Sequence, residues 1–220
     1  MADANSGNHA QLMDGVYKTQ RHFYDLTRKY YLLGRDRALK SMAPGPDQTF
    51  LEVGCGTGRN LALAAQSFPG TKLYGFDISS EMLKSAGEKM NKYDIHDRVK
   101  LVQADATNFD AKTLFGVSGF DRILISYAVS MIPVWEEAIA HAATQLNPGG
   151  ELHVIDFGQQ AELPKWFRNG LHAWLAKFHV EPRDRLEPVM IEASKPINAT
   201  VSLDSLYRDY AWHGILKRPQ

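Results

Sequence analysis

The chain has 220 residues, 44% of them hydrophobic, which is enough for one α/β domain with a buried core. Lysine plus arginine and aspartate plus glutamate number 25 each, so the balanced charge argues against a nucleic-acid substrate. Cys55 is the only cysteine, which excludes an intrachain disulfide, and no Cys/His spacing typical of a metal site occurs. The polar start and the lack of an apolar run of roughly 20 residues predict a cytoplasmic protein, at most peripheral to the membrane.

The N-terminal segment, residues 1–45, carries two interleaved heptad series: Tyr17, Tyr24 and Tyr31, and Arg21, Arg28 and Arg35. On a helix these side chains form one stripe beside an apolar stripe that can pack on the domain. The pattern predicts a helical lid over a ligand site, in which guanidinium groups bind a carboxylate. A solvated helix face held by cation–π and stacking contacts is the alternative.

Strands and helices alternate after this segment. Runs rich in branched and aromatic residues predict parallel strands at Thr49–Val53, 72–76, Val99–Gln103, 121–126 and 151–157. Apolar spacing predicts helices at 58–67, Ser80–Lys92, 134–146 and 163–178. Two further runs, 197–203 and 206–216, predict an antiparallel hairpin with a tight joint at Asp204 and Ser205. The fold expected for residues 1–220 is one doubly wound α/β domain with a seven-stranded, mostly parallel sheet. In this domain the ligand-binding core spans 46–160, and the closing helix and hairpin span 161–220.

The strongest chemical signal is the run LEVGCGTGRN at residues 51–60, where the first strand turns into the first helix. Its glycines allow the main chain and a helix N-terminus to approach a ligand closely. A dinucleotide fingerprint would place its third glycine at position 59, which is Arg59 here, so that spacing fails. The run instead resembles motif I of class I methyltransferases, which implies that Glu52 orients the ammonium group of S-adenosylmethionine. A glycine-rich turn without a ligand is the alternative.

Acidic residues end the next two predicted strands, at the sheet edge where doubly wound folds bind ligands. Asp77 is placed to accept from both ribose hydroxyls, and Asp105 from the adenine amino group. Each acid taken alone is explained equally well as a helix cap. Ser126 and Tyr127 follow the fourth strand, where the reactive methyl should point. The complete predicted cofactor site is Glu52, Gly54, Cys55, Gly56, Gly58, Asn60, Asp77, Ile78, Asp105, Ala106 and Ser126, with Tyr17 and Arg28 from the lid.

Further stretches resemble the bacterial betaine-lipid N-methyltransferases over nearly the whole chain. The most specific is QRHFYDLTRKYYLLGRDR at 20–37, since quinone-biosynthesis C-methyltransferases share its Tyr-Asp element but differ after it. Residues 156–160, 166–168 and 206–212 also resemble that family. The resemblance implies three methyl transfers from S-adenosylmethionine to the amine of diacylglyceryl homoserine, which yield S-adenosylhomocysteine and a trimethylated betaine lipid.

Methylation of an amine requires alignment, exclusion of water and a nitrogen lone pair rather than a strong base. Aromatic walls suit the cationic nitrogen of the later rounds, so Tyr24, Tyr31 and Tyr127 are the candidates for catalytic positioning. Arg35 and Tyr127 are the candidates for substrate binding, whereas His153 is expected to be a hydrogen-bonded core residue. Two alternatives remain open: carbon or nitrogen methylation of a quinone precursor or another small molecule, and cofactor binding without catalysis.

The predicted helix at 163–178 has an apolar and aromatic face beside basic residues. Such a helix can rest in the headgroup region of an anionic membrane, from which an amino-lipid substrate would be reached at the inner face of the cytoplasmic membrane. Packing of the same face on the sheet is the alternative. Residues 181–195 are less regular, because Pro182 and Pro188 interrupt any long helix.

Overall fold

The computed structural model describes residues 31–178 and 180–220. Within these ranges, seven strands form one sheet in the order β3-β2-β1-β4-β5-β7-β6. The strands are β1 Thr49–Val53, β2 Lys72–Asp77, β3 Val99–Gln103, β4 Phe120–Ser126, β5 Leu146–Phe157, β6 Thr200–Leu206 and β7 Ala211–Lys217. Strands β1 to β5 are parallel, and β7 runs antiparallel to both β5 and β6. The predicted doubly wound sheet with a C-terminal antiparallel hairpin is thereby confirmed.

Helices cover both faces of this sheet. They are α1 Arg35–Met42, α2 Arg59–Ser67, α3 Ser80–Lys92, α4 Ala111–Phe115, α5 Trp135–Thr144, α6 Lys165–Ala176 and α7 Leu186–Ser194. Because successive strand side chains point to opposite faces, Phe50 packs in one buried cluster with Leu39 of α1, whereas Leu51 packs in the other with Ile139 of α5. No helix in the described ranges combines the length and the apolar character that crossing a membrane requires.

Gly34 interrupts the helical stripe predicted to join Tyr31 and Arg35. Gly34 has a φ of 81°, and α1 begins directly after it. A Cβ at this position would lie 2.9 Å from the Cδ1 atom at the flexible end of Ile155, so the positive φ rather than space is what favours glycine here. Tyr31 and Arg35 therefore do not share one continuous helix, and that part of the prediction was wrong.

The hairpin turn lies further along the chain than the predicted joint at Asp204 and Ser205. Both of those residues belong to β6, and the turn consists of residues 207–210. Tyr207, Arg208 and Asp209 have φ values of 54°, 61° and 64°, a run of left-handed residues without glycine. No turn signal in the sequence marks this joint, because the conformation is held by side-chain contacts rather than by glycine or proline.

Two proline-containing segments also differ from expectation. Pro188 is the third residue of α7, in the first turn, where a main-chain N–H has no partner within the helix, so proline is accommodated. Residues 147–150, which lie between the predicted helix at 134–146 and the predicted strand at 151–157, belong to β5. Phe120 pairs with Leu146, and Arg122 pairs with Glu151. Residues 147–150 therefore form a bulge opposite the single residue Asp121.

Candidate cofactor and acceptor site

The glycine run connects β1 to α2 through three left-handed residues. Gly54, Gly56 and Gly58 have φ values of 65°, 52° and 72°, which L side chains rarely adopt. A Cβ on Gly54 would lie 3.0 Å from the Cβ of Ala128, and one on Gly58 would lie 2.8 Å from the Cε of Met90. The helix N-terminus has no side-chain cap, since Gly58 is its N-cap residue. The first main-chain N–H groups of α2 therefore have no partner within the helix, an arrangement that suits an anionic group of a ligand.

Asp77, the last residue of β2, is hydrogen-bonded to the glycine run. Its Oδ2 accepts from the main-chain N–H of Gly56 at 2.8 Å, and its Oδ1 accepts from that of Ser79 at 2.9 Å. The carboxylate is only half-buried, and each oxygen has a second lone pair. Asp77 can therefore keep both main-chain contacts and still accept from ribose hydroxyls.

Glu52 presents a buried oxygen that no described residue satisfies. Its Oε1 accepts from the Nδ2 of Asn60 at 2.7 Å, whereas its Oε2 is buried and has no hydrogen-bond partner. Burial raises the pKa of this carboxyl to about 8, against the opposing effects of the Asn60 hydrogen bond and the Arg35 charge. A buried carboxyl with one unused oxygen is suited to an incoming ammonium group, because buried polar atoms are normally paired.

Other unpartnered atoms lie at neighbouring strand ends. Among the described residues, the buried side-chain atoms without a hydrogen-bond partner include Asn60 Oδ1, Ser126 Oγ, Ser130 Oγ and Gln159 Nε2. Ser126 ends β4, Ser130 lies in the loop that follows it, and Gln159 follows β5. Asn60 lies in α2, and no described residue donates a hydrogen bond to its Oδ1. Ser126, Ser130 and Gln159, like Glu52 of β1, lie at or just beyond the ends of parallel strands, where doubly wound folds bind ligands.

Asp105 lies at the end of β3, as predicted, and holds its own loop. Its Oδ1 accepts from the main-chain N–H of Thr107 at 2.9 Å and from the Thr107 hydroxyl at 2.8 Å. The carbonyl of Ile78 accepts from the side chain of Gln103 at 2.8 Å, which joins the loops after β2 and β3. Ala106 is half-buried in the same loop, and Cys55 is a buried free thiol in the glycine run.

Tyr127 is directed inward at the end of β4. Its side chain is 3% exposed, and its hydroxyl donates to the main-chain carbonyl of Leu33 at 2.5 Å. Burial raises the pKa of this phenol well above its usual value. The charge of the buried Arg35 lowers the pKa of both Tyr127 and Glu52, against the larger effect of burial.

Aromatic rings continue from Tyr127 across the end of β5. Phe157 meets Tyr127 edge-on at 4.8 Å between ring centroids and stacks with Tyr31 at 6.4 Å. Tyr31 in turn packs edge-on against Trp174 of α6 at 4.6 Å. Tyr210, which the sequence analysis did not single out, donates from its hydroxyl to the carbonyl of Tyr31 at 2.8 Å. We call these five residues the aromatic cluster.

Asp156 is a further residue to which the sequence analysis gave no role. It is 1% exposed, and it accepts from the main-chain N–H groups of Ser130 at 3.1 Å and Phe157 at 2.8 Å. Burial raises the pKa of this carboxyl to about 6. Asp156 thus fixes the loop after β4 against the end of β5. Three residues of the predicted site, Tyr17, Tyr24 and Arg28, lie outside the described residues.

The chain is similar to a known family model and to curated relatives. Residues 51–152 match the family model described as a methyltransferase domain. The demethylmenaquinone methyltransferase of Listeria welshimeri is 28% identical over 139 residues, which cover 63% of this chain and 56% of that relative's length.

Solved structures share the fold at low sequence identity. A chain from the complex between the Haloferax volcanii Trm112 methyltransferase activator and a putative methyltransferase has a TM-score of 0.68 and 14% identity, covering 93% of this chain and 96% of its own. Phosphoethanolamine N-methyltransferase 2 of Haemonchus contortus, in complex with S-adenosyl-L-methionine, has a TM-score of 0.64 and 19% identity, covering 84% of this chain and 52% of its own.

Proposed function

We propose that this chain, whose residues 51–152 match a methyltransferase domain, transfers methyl groups from S-adenosylmethionine to the amine of diacylglyceryl homoserine. Three successive transfers would give the trimethylated lipid. The observation that supports an amine acceptor is the aromatic cluster at the ends of β4 and β5, centred on Phe157 and Tyr127. Aromatic faces stabilise the methylated, cationic nitrogen that forms after each transfer. The betaine-lipid resemblance of the N-terminal segment supports the same acceptor. The substrate would be met at the inner face of the cytoplasmic membrane.

The chain's own residues would bind and align the reactants. Glu52 would hold the ammonium group of the cofactor, Asp77 its ribose, and Asp105 its adenine. S-adenosylmethionine supplies an electrophilic methyl group on a sulfonium sulfur. The amine lone pair forms the new N–C bond as the S–C bond breaks, positive charge passes from sulfur to nitrogen, and the nitrogen loses a proton to water before the next round.

The direct test is turnover of a defined lipid. Purified protein is incubated with diacylglyceryl homoserine in detergent micelles and with cofactor labelled in the methyl group. We expect label in the lipid headgroup as one, two and then three methyls, with one S-adenosylhomocysteine formed for each. A D77A variant serves as the control for cofactor-dependent labelling. Absence of label from the lipid, with label in another acceptor, would remove this proposal.

A second candidate is carbon methylation of a quinone precursor, favoured by the curated relative from Listeria welshimeri. That reaction needs a base close to an activated phenol, so its rate should depend on a titrating side chain near the acceptor. Demethylmenaquinone is assayed in parallel with the amino lipid. Turnover of the quinone alone would transfer the assignment to this candidate, and S-adenosylhomocysteine formation from neither acceptor would favour cofactor binding without catalysis.

A further inference from the structure

An apolar groove opens beside the aromatic cluster. It has a volume of about 490 Å³, within the range typical of sites for small molecules. The lining residues come from α6, from the segment before α1 and from the hairpin turn: Tyr31, Leu33, Trp166, Phe167, Gly170, Leu171, Trp174 and Tyr210. The groove is thus built from parts of the chain that are far apart in sequence.

Helix α6 forms one wall of this groove, and its aromatic residues are unusually exposed. Trp166 is 77% exposed and Phe167 is 37% exposed, although burial of such side chains is strongly favourable. Further along the helix, Trp174 and Leu171 are half-buried against the core. Apolar surface therefore runs from solvent at the helix start to the aromatic cluster at its other end.

The charged residues of α6 have one sign. Lys165 and Arg168 lie in the helix, Lys177 follows it, and the sequence KWFRNGLHAWLA contains no acidic residue. A helix that supplies both apolar groove residues and basic residues complements a ligand that combines a hydrocarbon chain with a carboxylate or another anionic group.

The groove is linked to the proposed reaction site by packed aromatic rings. Tyr31 lines the groove and stacks on Phe157, which meets Tyr127 at the end of β4. The groove therefore lies on the same side of the fold as the end of β4, one layer of aromatic rings away from Tyr127.

We propose that this groove binds a fatty acyl chain of the lipid acceptor, so that the protein selects its substrate by the hydrocarbon tail as well as by the amine. The inference rests on the proposed function, since it assigns the acceptor's tail to the groove. It predicts that acyl-chain recognition and amine methylation are separable properties of the protein.

Gly170 allows the groove to be filled without disturbing the packing around it. A Cβ at this position meets no atom within 4 Å, and the residue lies inside α6 with no positive φ. The variant G170F should therefore narrow the groove and also improve helix propensity. Gly87 offers a matched control, because it lies inside α3 and its Cβ also meets no atom within 4 Å.

The first experiment compares two acceptors: diacylglyceryl homoserine, and the same headgroup without acyl chains. We expect G170F to lower kcat/KM for the acylated acceptor by about tenfold and to leave the deacylated one unchanged, whereas G87F changes neither. Equal loss for both acceptors, or no loss for either, would overturn the groove assignment. Failure of the unsubstituted protein to methylate any amine would instead remove the proposed function.

The second experiment does not depend on activity. Dibromostearate quenches tryptophan fluorescence at short range, and two of the chain's four tryptophans, Trp166 and Trp174, line the groove. We expect quenching in the unsubstituted protein and in G87F, and at least a severalfold weaker apparent affinity in G170F. Equal quenching in all three proteins would place the fatty acid elsewhere. Absence of quenching in the unsubstituted protein would mean that the N-terminal segment or another copy of the chain covers the groove, which would also overturn the proposal.

Discussion

At the scale of one residue, the buried carboxyl of Glu52, which we propose binds the ammonium group of the cofactor, also affects stability. An unfolded glutamate ionises near pH 4.5, whereas burial raises the pKa of Glu52 to about 8 in the folded protein. The fold therefore binds a proton more strongly than the unfolded chain does, and this residue costs stability progressively as the pH rises from 4.5 to 8. An ammonium group bound to the free Oε2 would offset that cost.

The variant E52Q is expected to separate these two effects. Its amide oxygen can still accept from Asn60, so the free energy of unfolding at pH 8 should increase in the absence of cofactor. Affinity for S-adenosylmethionine should fall by about 1 to 3 kcal/mol, because the ammonium loses a charged acceptor. Thermal unfolding and titration calorimetry measure the two quantities. A less stable variant with unchanged affinity would contradict the assignment of Glu52.

Asp77 carries a second prediction at this scale. D77A should weaken S-adenosylmethionine binding by about 1 to 3 kcal/mol, because the ribose hydroxyls lose their acceptor and the Gly56 N–H loses its partner. Calorimetry is the measurement, and D47A, at an exposed residue before β1, is the control. Equal affinities for D77A and the unsubstituted protein would count against the ribose assignment.

At the scale of elements, the hairpin turn depends on one carboxylate. Asp209 accepts from the indole N–H of Trp212, from the main-chain N–H of Ala161 at 3.0 Å and from the hydroxyl of Ser205 at 3.1 Å. Three bonds to one side chain hold a turn whose residues are otherwise disfavoured at positive φ. The same turn supplies Tyr210 to the groove.

D209A should therefore lower the free energy of unfolding by about 1 to 3 kcal/mol, because three donors lose their acceptor and the positive φ of residue 209 disfavours alanine. Denaturant titration measures the change. D204A, at an exposed residue of β6, should remain within about 0.5 kcal/mol of the unsubstituted protein. Similar losses in the two variants would show that the turn does not depend on the Asp209 carboxylate.

At the scale of the whole molecule, a buried histidine pair joins β5 to β7. The Nδ1 of His153 lies 3.1 Å from the Nε2 of His213, and its Nε2 lies 2.9 Å from the Oε2 of Glu151. Burial lowers the pKa of His213 to about 4 and also lowers that of His153. Nearby charges act on the pair as well: Lys217 of β7, Arg122 of β4, Arg37 of α1 and Asp204 of β6.

Because these histidines are held neutral in the fold, their contribution to stability should be complete above pH 6.5 and should be lost as the pH decreases from 6.5 to 4. The lowering of the His213 pKa from 6.5 to about 4 corresponds to a loss of about 3 kcal/mol in the free energy of unfolding between those pH values. Glu151, whose pKa is lowered to about 2, acts in a separate window below pH 4.5. The free energy of unfolding, measured with urea at several pH values, should depend less on pH in H213L than in H96L. His96 is an exposed histidine and serves as the control. Identical profiles would exclude the pair as the source of acid sensitivity.

The sequence by itself determined the strand and helix alternation, the position of the glycine run and the acids at the ends of β2 and β3. These features depend on local periodicity and on backbone conformations that only particular residues adopt, so they can be recognised in a short stretch of chain. It also correctly indicated that His153 belongs to the core, although not what its partner is.

Only the tertiary structure decided how distant segments meet. It directs the Tyr127 hydroxyl to the carbonyl of Leu33, 94 residues away, and it pairs His153 with His213 across 60 residues. It also holds the hairpin turn through Asp209 and forms the groove between α6 and the residues before α1. No sequence pattern encodes such contacts directly, because each arises from the packing of elements that are far apart along the chain.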